Sequence, residues 1–321
     1  MIVITGAYGF IGSCLASYLN QKGHLDLVLV DDFAKSYKAK NINHLQYRKC
    51  IERDQFIEWF KANTSEISYV YHLGARTDTT EFDEAIFLEL NLNYSKSIWS
   101  ICTSDKIPLI YASSAATYGE GEYGYKDGLE GIDNLKPLNP YGRSKQDFDL
   151  WVKDQNQFPP FWAGLKFFNV FGPNEYHKGR MASVIMHAYY QIIENESIKL
   201  FRSHHKDYND GGQLRDFIYI KELLHIIEFI RDNQIPSDIY NVGTGKANTF
   251  NDLAKGVFKV LNIEAAITYI DTPEDIRDKY QYYTEADMSR LLDLGYQSKY
   301  ADFEKSIEDY VSSYLSCAAF F

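Results

Sequence analysis

The sequence predicts an α/β fold, a doubly wound parallel sheet with a smaller, interwoven mixed α/β lobe. Three observations predict it. Short β-rich runs alternate with helical patterns through the first half, which signals parallel strands joined by crossover helices. A glycine-rich turn stands between the first strand and the first helix. No Pro/Ser-rich linker separates the halves, so the second lobe is expected to be woven into the first. The 321 residues suffice for two lobes, and 26 Tyr and 20 Phe supply a large core or stacking surfaces for rings.

Taken in order, Ile2–Thr5 reads as a strand, Ile11–Lys22 as a helix and Asp26–Val30 as a strand. Asp54–Asn63 is a helix and Tyr69–His72 a strand. Phe82–Ser104 is a long helical stretch, and Leu109–Ala112 the strand after it. Further on, Tyr141–Gln155, Met181–Asn195 and Glu222–Asp232 carry helical patterns. Ala163–Val170 is an apolar strand pattern, and polar Ser203–Leu214 reads as an exposed loop. The expected division is a first domain over 1–168 with a return segment at about 214–242, and a second lobe formed by 169–213 and 243–321.

Composition narrows the function. A net charge of −11 and a pI near 5.2 give no general attraction to nucleic acid or to an anionic membrane. An anionic ligand must then be held by local cations and backbone N–H groups. The four cysteines (Cys14, Cys50, Cys102, Cys317) form no close pair and no metal spacing, as expected of reduced cytoplasmic thiols. No metal ligand is expected. Residues 1–5 run straight into the glycine turn, so no signal peptide is expected. No apolar run approaches the roughly 18 residues of a membrane helix.

The first motif is Gly6-Ala7-Tyr8-Gly9-Phe10-Ile11-Gly12, after a strand and opening a helix. That is the context of a dinucleotide-binding turn, in which glycines let the backbone approach a pyrophosphate held on the helix N-terminus. Asp31 follows Gly12 by 19 residues, at the end of the next strand. A carboxylate there accepts from the ribose hydroxyls of NAD and repels the extra phosphate of NADP. Lys35, Lys38 and Arg53 stand near Asp31 and Asp32 and could neutralise that phosphate, so the residues alone leave the cofactor open.

The second motif is Tyr141-Gly-Arg-Ser-Lys145, whose Tyr and Lys share one helix face. A tyrosine base must bring its pKa from about 10 to near 7, roughly 4 kcal/mol. A nearby ammonium and an oxidised nicotinamide ring supply that electrostatically. The third motif, Tyr111-Ala-Ser-Ser-Ala-Ala-Thr-Tyr-Gly119, ends a strand and places Ser114 to bond a reacting sugar oxygen.

In this order and spacing the three motifs closely resemble the extended short-chain dehydrogenase/reductase family of nucleotide-sugar epimerases and dehydratases, which implies a Rossmann-like fold over nearly the whole chain. The resemblance implies Ser114, Tyr141 and Lys145 as the catalytic triad. It implies cofactor contacts at Gly6, Gly9, Phe10, Ile11, Gly12, Asp31 and Asp32, at Leu73, Gly74 and Ala75, at Asn91, and at Tyr141 and Lys145 themselves. Phe168-Asn-Val-Phe-Gly-Pro173, Tyr176-His-Lys-Gly179 before Met181-Ala-Ser-Val184, Arg215-Asp-Phe217 and Asp278-Lys-Tyr-Gln281 resemble more narrowly the heptose 6-epimerases that act on ADP-linked sugars. That narrower resemblance implies NADP, with Lys38 and Arg53 at the phosphate, and places Val170 and Lys178 on the cofactor side. It further implies substrate contacts at Ser114, Asn169, Arg180, His187, Phe201, Arg215 and Tyr280, and a homo-oligomer, with a pentamer as one form. Asp32 departs from a pattern that often has Asn, Arg180 from one that has Ser in some members, and the Ser203–Leu214 loop matches only a subset.

Inverting a carbon that bears only hydroxyl and hydrogen needs no external reductant. Hydride leaves to the cofactor and returns to the opposite face of a planar carbonyl. Two faces imply two proton-transfer groups, Tyr141 and Lys178, although Lys178 also reads as a diphosphate-binding cation. Arg215 suits a diphosphate clamp, and His187 also reads as a core helix residue. The function expected is a heptose 6-epimerase making a lipopolysaccharide core precursor. A 4-epimerase or 4,6-dehydratase is the alternative within the class, and Ala115-Ala116 speaks against the dehydratase, which carries an Asp-Glu pair there. A catalytically idle cofactor-binding sensor is the alternative outside it.

Overall fold

The computed structural model describes residues 1–78, 81, 83–233, 235–277 and 281–321. Its strands are β1 (Ile2–Thr5), β2 (Leu27–Asp31), β3 (Lys49–Glu52), β4 (Tyr69–His72), β5 (Leu109–Ser114), β6 (Trp162–Phe167), β7 (Asn169–Phe171), β8 (Ile198–Phe201), β9 (Leu214–Tyr219), β10 (Asp238–Val242), β11 (Ala247–Thr249), β12 (Ile267–Ile270) and β13 (Tyr283–Thr284). The helices used below are α1 (Phe10–Gln21), α2 (Arg53–Asn63), α3 (Glu84–Phe87), α4 (Tyr94–Ser104), α5 (Pro140–Lys153), α6 (Val184–Asn195), α7 (Ile220–Asp232) and α8 (Phe250–Leu261).

Seven strands form one parallel sheet in the order β10-β6-β5-β4-β1-β2-β3. The strands are apolar on both faces because helices cover both. Along β1 and β2, Val3, Val28 and Val30 enter one core, while Ile4, Leu27 and Leu29 enter the other. From β1 the chain winds outward through β2 and β3, then returns past β1 to β4. The crevice beyond the ends of β1 and β4 is therefore the switch point where open α/β sheets bind ligands. The fold class is the one the sequence predicts.

Three expectations shift. The Ala163–Val170 run is not one strand. It breaks at Phe168, whose N–H donates to Val242 O (3.1 Å), and Asn169 begins β7, which pairs with β9 in a second sheet. The long helix keeps its course but not its pitch. Between α3 and α4 the residues Leu88–Asn93 wind as a π-helical stretch, of the kind that recurs at functional sites. The helix expected from Met181 starts only at Val184, with Ser183 Oγ accepting from Met186 N (3.3 Å). A short 3-10 turn, Tyr176–Met181, stands before it.

The smaller layer joins β7, β9, β11 and β13 in one sheet and β8 and β12 in another. β9 belongs to this layer, and the chain returns to the central sheet as β10 beside β6. The Ser203–Leu214 loop is polar at its tip, but Gln213 is buried and Gly211 O accepts from Asn251 N (3.0 Å). Among the described residues no helix is long and apolar enough to cross a membrane. All four cysteines are free.

Candidate active site

The glycine turn is built by close approach. Gly6 has φ +70°, a left-handed conformation, and a Cβ there would stand 2.7 Å from Gly74 Cα. A Cβ on Gly12 would stand 2.2 Å from Gly6 O. The turn thus lies flat against the end of β4, and α1 starts at Gly9 with no side chain capping its N-terminus. Uncapped N–H groups and the helix dipole face a cavity of about 680 Å³. Its walls include the turn, Asp31 and Asp32, Lys35 and Lys38, Arg53, the Leu73–Arg76 segment and Lys178. A long, cation-edged cradle that side chains would fill fits a dinucleotide.

At the adenosine-type end, Asp31 accepts from Tyr8 N (3.0 Å) and from Asp32 N (2.8 Å). Lys38 Nζ lies 3.7 Å from Asp31, and Lys35 Nζ 3.1 Å from Asp32. The Lys35 ammonium holds the Asp32 carboxyl below its usual pKa. Arg53 opens α2 and pairs with Asp54 (2.9 Å). Lys35 is therefore bound into the carboxylate pair more closely than Lys38, the cation that sequence reasoning favoured.

Ser114 ends β5, and Tyr141 and Lys145 lie on the first turns of α5. Asn139 starts that helix by accepting from Gly142 N (2.8 Å), with Pro140 in its first turn. Gly142 lets α5 press against the strand end, since a Cβ there would meet Ala116 O at 2.8 Å. Burial raises the pKa of the Tyr141 phenol, and the neighbouring Ser114 hydroxyl lowers it by less. Lys145 is buried and donates to Ala112 O (2.8 Å). Burial pushes its pKa down to about 8.

Asn91, on the π-helical stretch, ties this cluster to the cradle. Its side chain bonds both Arg76 N (2.8 Å) and Arg76 O (3.0 Å) and donates to Ser144 Oγ (2.9 Å). Ser144 in turn donates to Tyr141 O (2.7 Å).

Lys178 reaches the cavity from the Tyr176–Met181 turn, its Nζ 5.3 Å from the Phe10 ring centre. Burial lowers its pKa, and the Glu175 carboxylate opposes that. His177 beside it is held neutral, pushed down to about 4 by burial and by Lys38 and Lys178. Arg215 is buried on β9, bonded to Leu214 O (2.9 Å) and Gln281 O, and Gln281 bonds Gly119 O at the end of the third motif. Val170 on β7, His187 on α6 and Phe201 on β8 are half-buried, and Asn169 and Arg180 are exposed. These five and Arg215 do not line the cavity, nor do Asn91, Ser114, Tyr141 and Lys145, which reach it only through the Asn91–Arg76 bonds. His187 Nε2 lies 3.4 Å from Arg180 O. Tyr280 lies outside the described residues.

Sequence reasoning named Lys35 but ranked Lys38 above it, and it missed His177 and three buried ionic groups, Asp149, Lys166 and Glu175. The clue for His177 was its place next to Lys178. No group of three His, Cys, Asp or Glu among the described residues is placed to hold a metal.

A dinucleotide cradle at the switch point, beside a Ser–Tyr–Lys cluster, defines a nicotinamide-dependent enzyme of the short-chain type. The chain belongs to the NAD dependent epimerase/dehydratase family, whose pattern matches residues 2–243. It is 43% identical to the ADP-L-glycero-D-manno-heptose-6-epimerase of Fusobacterium nucleatum, over 98% of both chains. It is 44% identical to the protein of that name from Nitratidesulfovibrio vulgaris, over 99% of both. The crystal structure of the Helicobacter pylori ADP-L-glycero-D-manno-heptose-6-epimerase matches with a TM-score of 0.79 at 28% identity, covering 97% of this chain and 95% of that one.

Proposed function

We propose that this enzyme inverts C6 of an ADP-linked glycero-manno-heptose, interconverting the D-glycero and L-glycero forms, and that it does so in the cytoplasm as a homo-oligomer making a lipopolysaccharide core precursor. The observation that carries the reading is the Ser114–Tyr141–Lys145 cluster tied through Asn91 to a dinucleotide cradle. The names of near full-length relatives supply the sugar.

Gly6, Gly9 and Gly12 admit the pyrophosphate, and Phe10, Ile11 and the Leu73–Ala75 segment line the walls around it. Lys38, Arg53 and Lys35 favour NADP over NAD by offsetting Asp31 and Asp32. When bound, the nicotinamide exchanges hydride with the reacting carbon. The Tyr141 phenolate, to which the Ser114 hydroxyl donates, accepts the C6 hydroxyl proton and becomes the neutral phenol. The Lys145 cation favours the phenolate charge. Lys178, desolvated on the cavity wall, serves the opposite face. Arg215 clamps the diphosphate, Asn169, Arg180, His187, Phe201 and Tyr280 shape the sugar side, and Val170 stands on the cofactor side. Residues 1–168 with a return over α7 and β10 form the cofactor domain, and the remainder, β9 included, the substrate lobe.

The test is incubation with ADP-D-glycero-D-manno-heptose, with the product read by NMR. Appearance of the L-glycero epimer is the expected result. Absence of turnover with cofactor still bound would return the chain to a sensor role.

A further inference from the structure

Beneath the Ser114–Tyr141–Lys145 cluster lies an ion pair that the chemistry above does not use. Asp149 is one turn beyond Lys145 on α5, and Lys166 is on β6. Their side chains are fully buried, with Nζ 2.8 Å from Oδ2. Asp149 also accepts from Ser113 Oγ (2.7 Å) and Tyr111 OH (3.1 Å). Lys166 also donates to Thr117 Oγ1 (2.7 Å), and Thr117 donates to Ser114 O (2.8 Å). A buried ion pair stabilises a fold no better than packed apolar side chains do, so this one needs another reason. Its bonds end on the residue before Ser114 and on Ser114 itself.

We propose that Asp149 and Lys166 are positioning residues for the active site. The pair fixes the end of β5 that carries Ser114, and Asp149 keeps a negative charge one helical turn from the Lys145 ammonium. This rests on the reading of Tyr141 and Lys145 as the groups that carry the chemistry.

The surroundings of Lys145 support it. His72, at the end of β4, is pushed down to about 3 by burial and stays neutral. Tyr111 on β5 and Tyr118 in the following turn are pushed up by burial and stay neutral. Glu84 and Glu89, on the stretch packed against α5, are exposed, as are Arg143 and Asp147 on α5 itself. Asp149 and Lys166 are then the buried charges packed beneath it. Asp149 opposes the desolvation that drives Lys145 toward its neutral form. Lys166 in turn cancels Asp149 as seen from Tyr141, which must lose its proton.

The experiment is the pH profile of kcat for the intact enzyme and for Asp149→Asn, Lys166→Met and the double variant, with urea unfolding of each. Lys145 must stay charged, so activity falls as pH rises through its pKa. Removing the negative charge should move that alkaline limb to lower pH, and removing the positive charge should move it higher. Each shift should be about half a unit or more. The double variant should return close to the wild-type limb. A purely structural pair would lower turnover in all three with the limb unmoved, and that result overturns the proposal. Should Asp149→Asn not fold, the Lys166→Met limb decides alone, and an unmoved limb there overturns it equally. An alkaline limb that persists in Lys145→Met would overturn the assignment of Lys145 itself, and the proposal with it.

Discussion

Replacing Gly12 by alanine tests the cradle where it is tightest. The new methyl would stand 2.2 Å from Gly6 O, 2.7 Å from Gly6 C and 3.0 Å from Ala7 Cα. To reach ordinary contact, near 3.4 Å, the oxygen must retreat by about 1 Å. It has little room, because Gly6 is itself backed against Gly74. The first turn of α1 must move instead, and its N–H groups with it. Overpacking of this kind costs about 1–3 kcal/mol of stability. A misaimed N–H toward a phosphate forfeits about 1.5–3 kcal/mol more in binding, or about 10–100-fold in cofactor Kd. Urea unfolding and calorimetric titration with NADP measure the two effects separately. Gly23→Ala is the control: its methyl meets nothing within 4 Å, although φ is +86°. It should cost about 1–2 kcal/mol of stability through backbone strain alone and leave cofactor affinity unchanged. A Gly12→Ala protein that binds NADP within twofold of wild type would refute the close-packing argument.

Three further outcomes are expected. The wild type should prefer NADP, and Lys38→Ala and Lys35→Ala should each weaken that preference in paired NAD and NADP titrations; a wild type favouring NAD tenfold, about 1.4 kcal/mol, would sink it. Tyr141→Phe and Lys178→Met should each lose about 10²–10⁴ in kcat with substrate still bound, whereas a rise in KM alone for Lys178→Met would make Lys178 a phosphate cation. His72 is buried and neutral, with its pKa at about 3 against an ordinary 6.5. The unfolded chain then binds more protons between those values, so stability falls as pH drops from 6.5 toward 3, by up to about 1.4 kcal/mol per pH unit. His72→Asn should flatten that slope in urea unfolding at pH 7 and pH 5, and an unchanged slope would show that other groups carry it.

The parts legible in the sequence are those written locally. The glycine turn, Asp31 at its spacing and the Tyr141–Lys145 pair each lie within one strand–turn–helix unit or one helical turn, so a short window holds both residue and reason. The break at Phe168 is different. The run Ala163–Val170 is apolar enough to read as one strand despite Lys166 and Asn169, and what ends the strand is pairing of β7 with β9, some fifty residues later, which no local pattern records. The same holds for Asp149 and Lys166, two charged residues on different elements whose pairing shows only when β6 is laid beside β5 under α5. Lys35 and Lys38 were both visible, but which one reaches which carboxylate depends on the 3-10 turn over Ser36–Asn41.

The strand that changes sheets at Phe168 also bears on how this architecture can be cut and recombined. One residue separates β6 from β7, and the far edge of the first sheet is supplied by β10, after the chain has already built part of the second layer. There is no seam at which a sugar-recognising cassette could be lifted out and fused to a foreign cofactor module. New specificity in such a chain has to be written by side-chain replacement in place, or by lengthening loops such as residues 203–213. Wholesale exchange would leave one half without its edge strand and the other without its anchor.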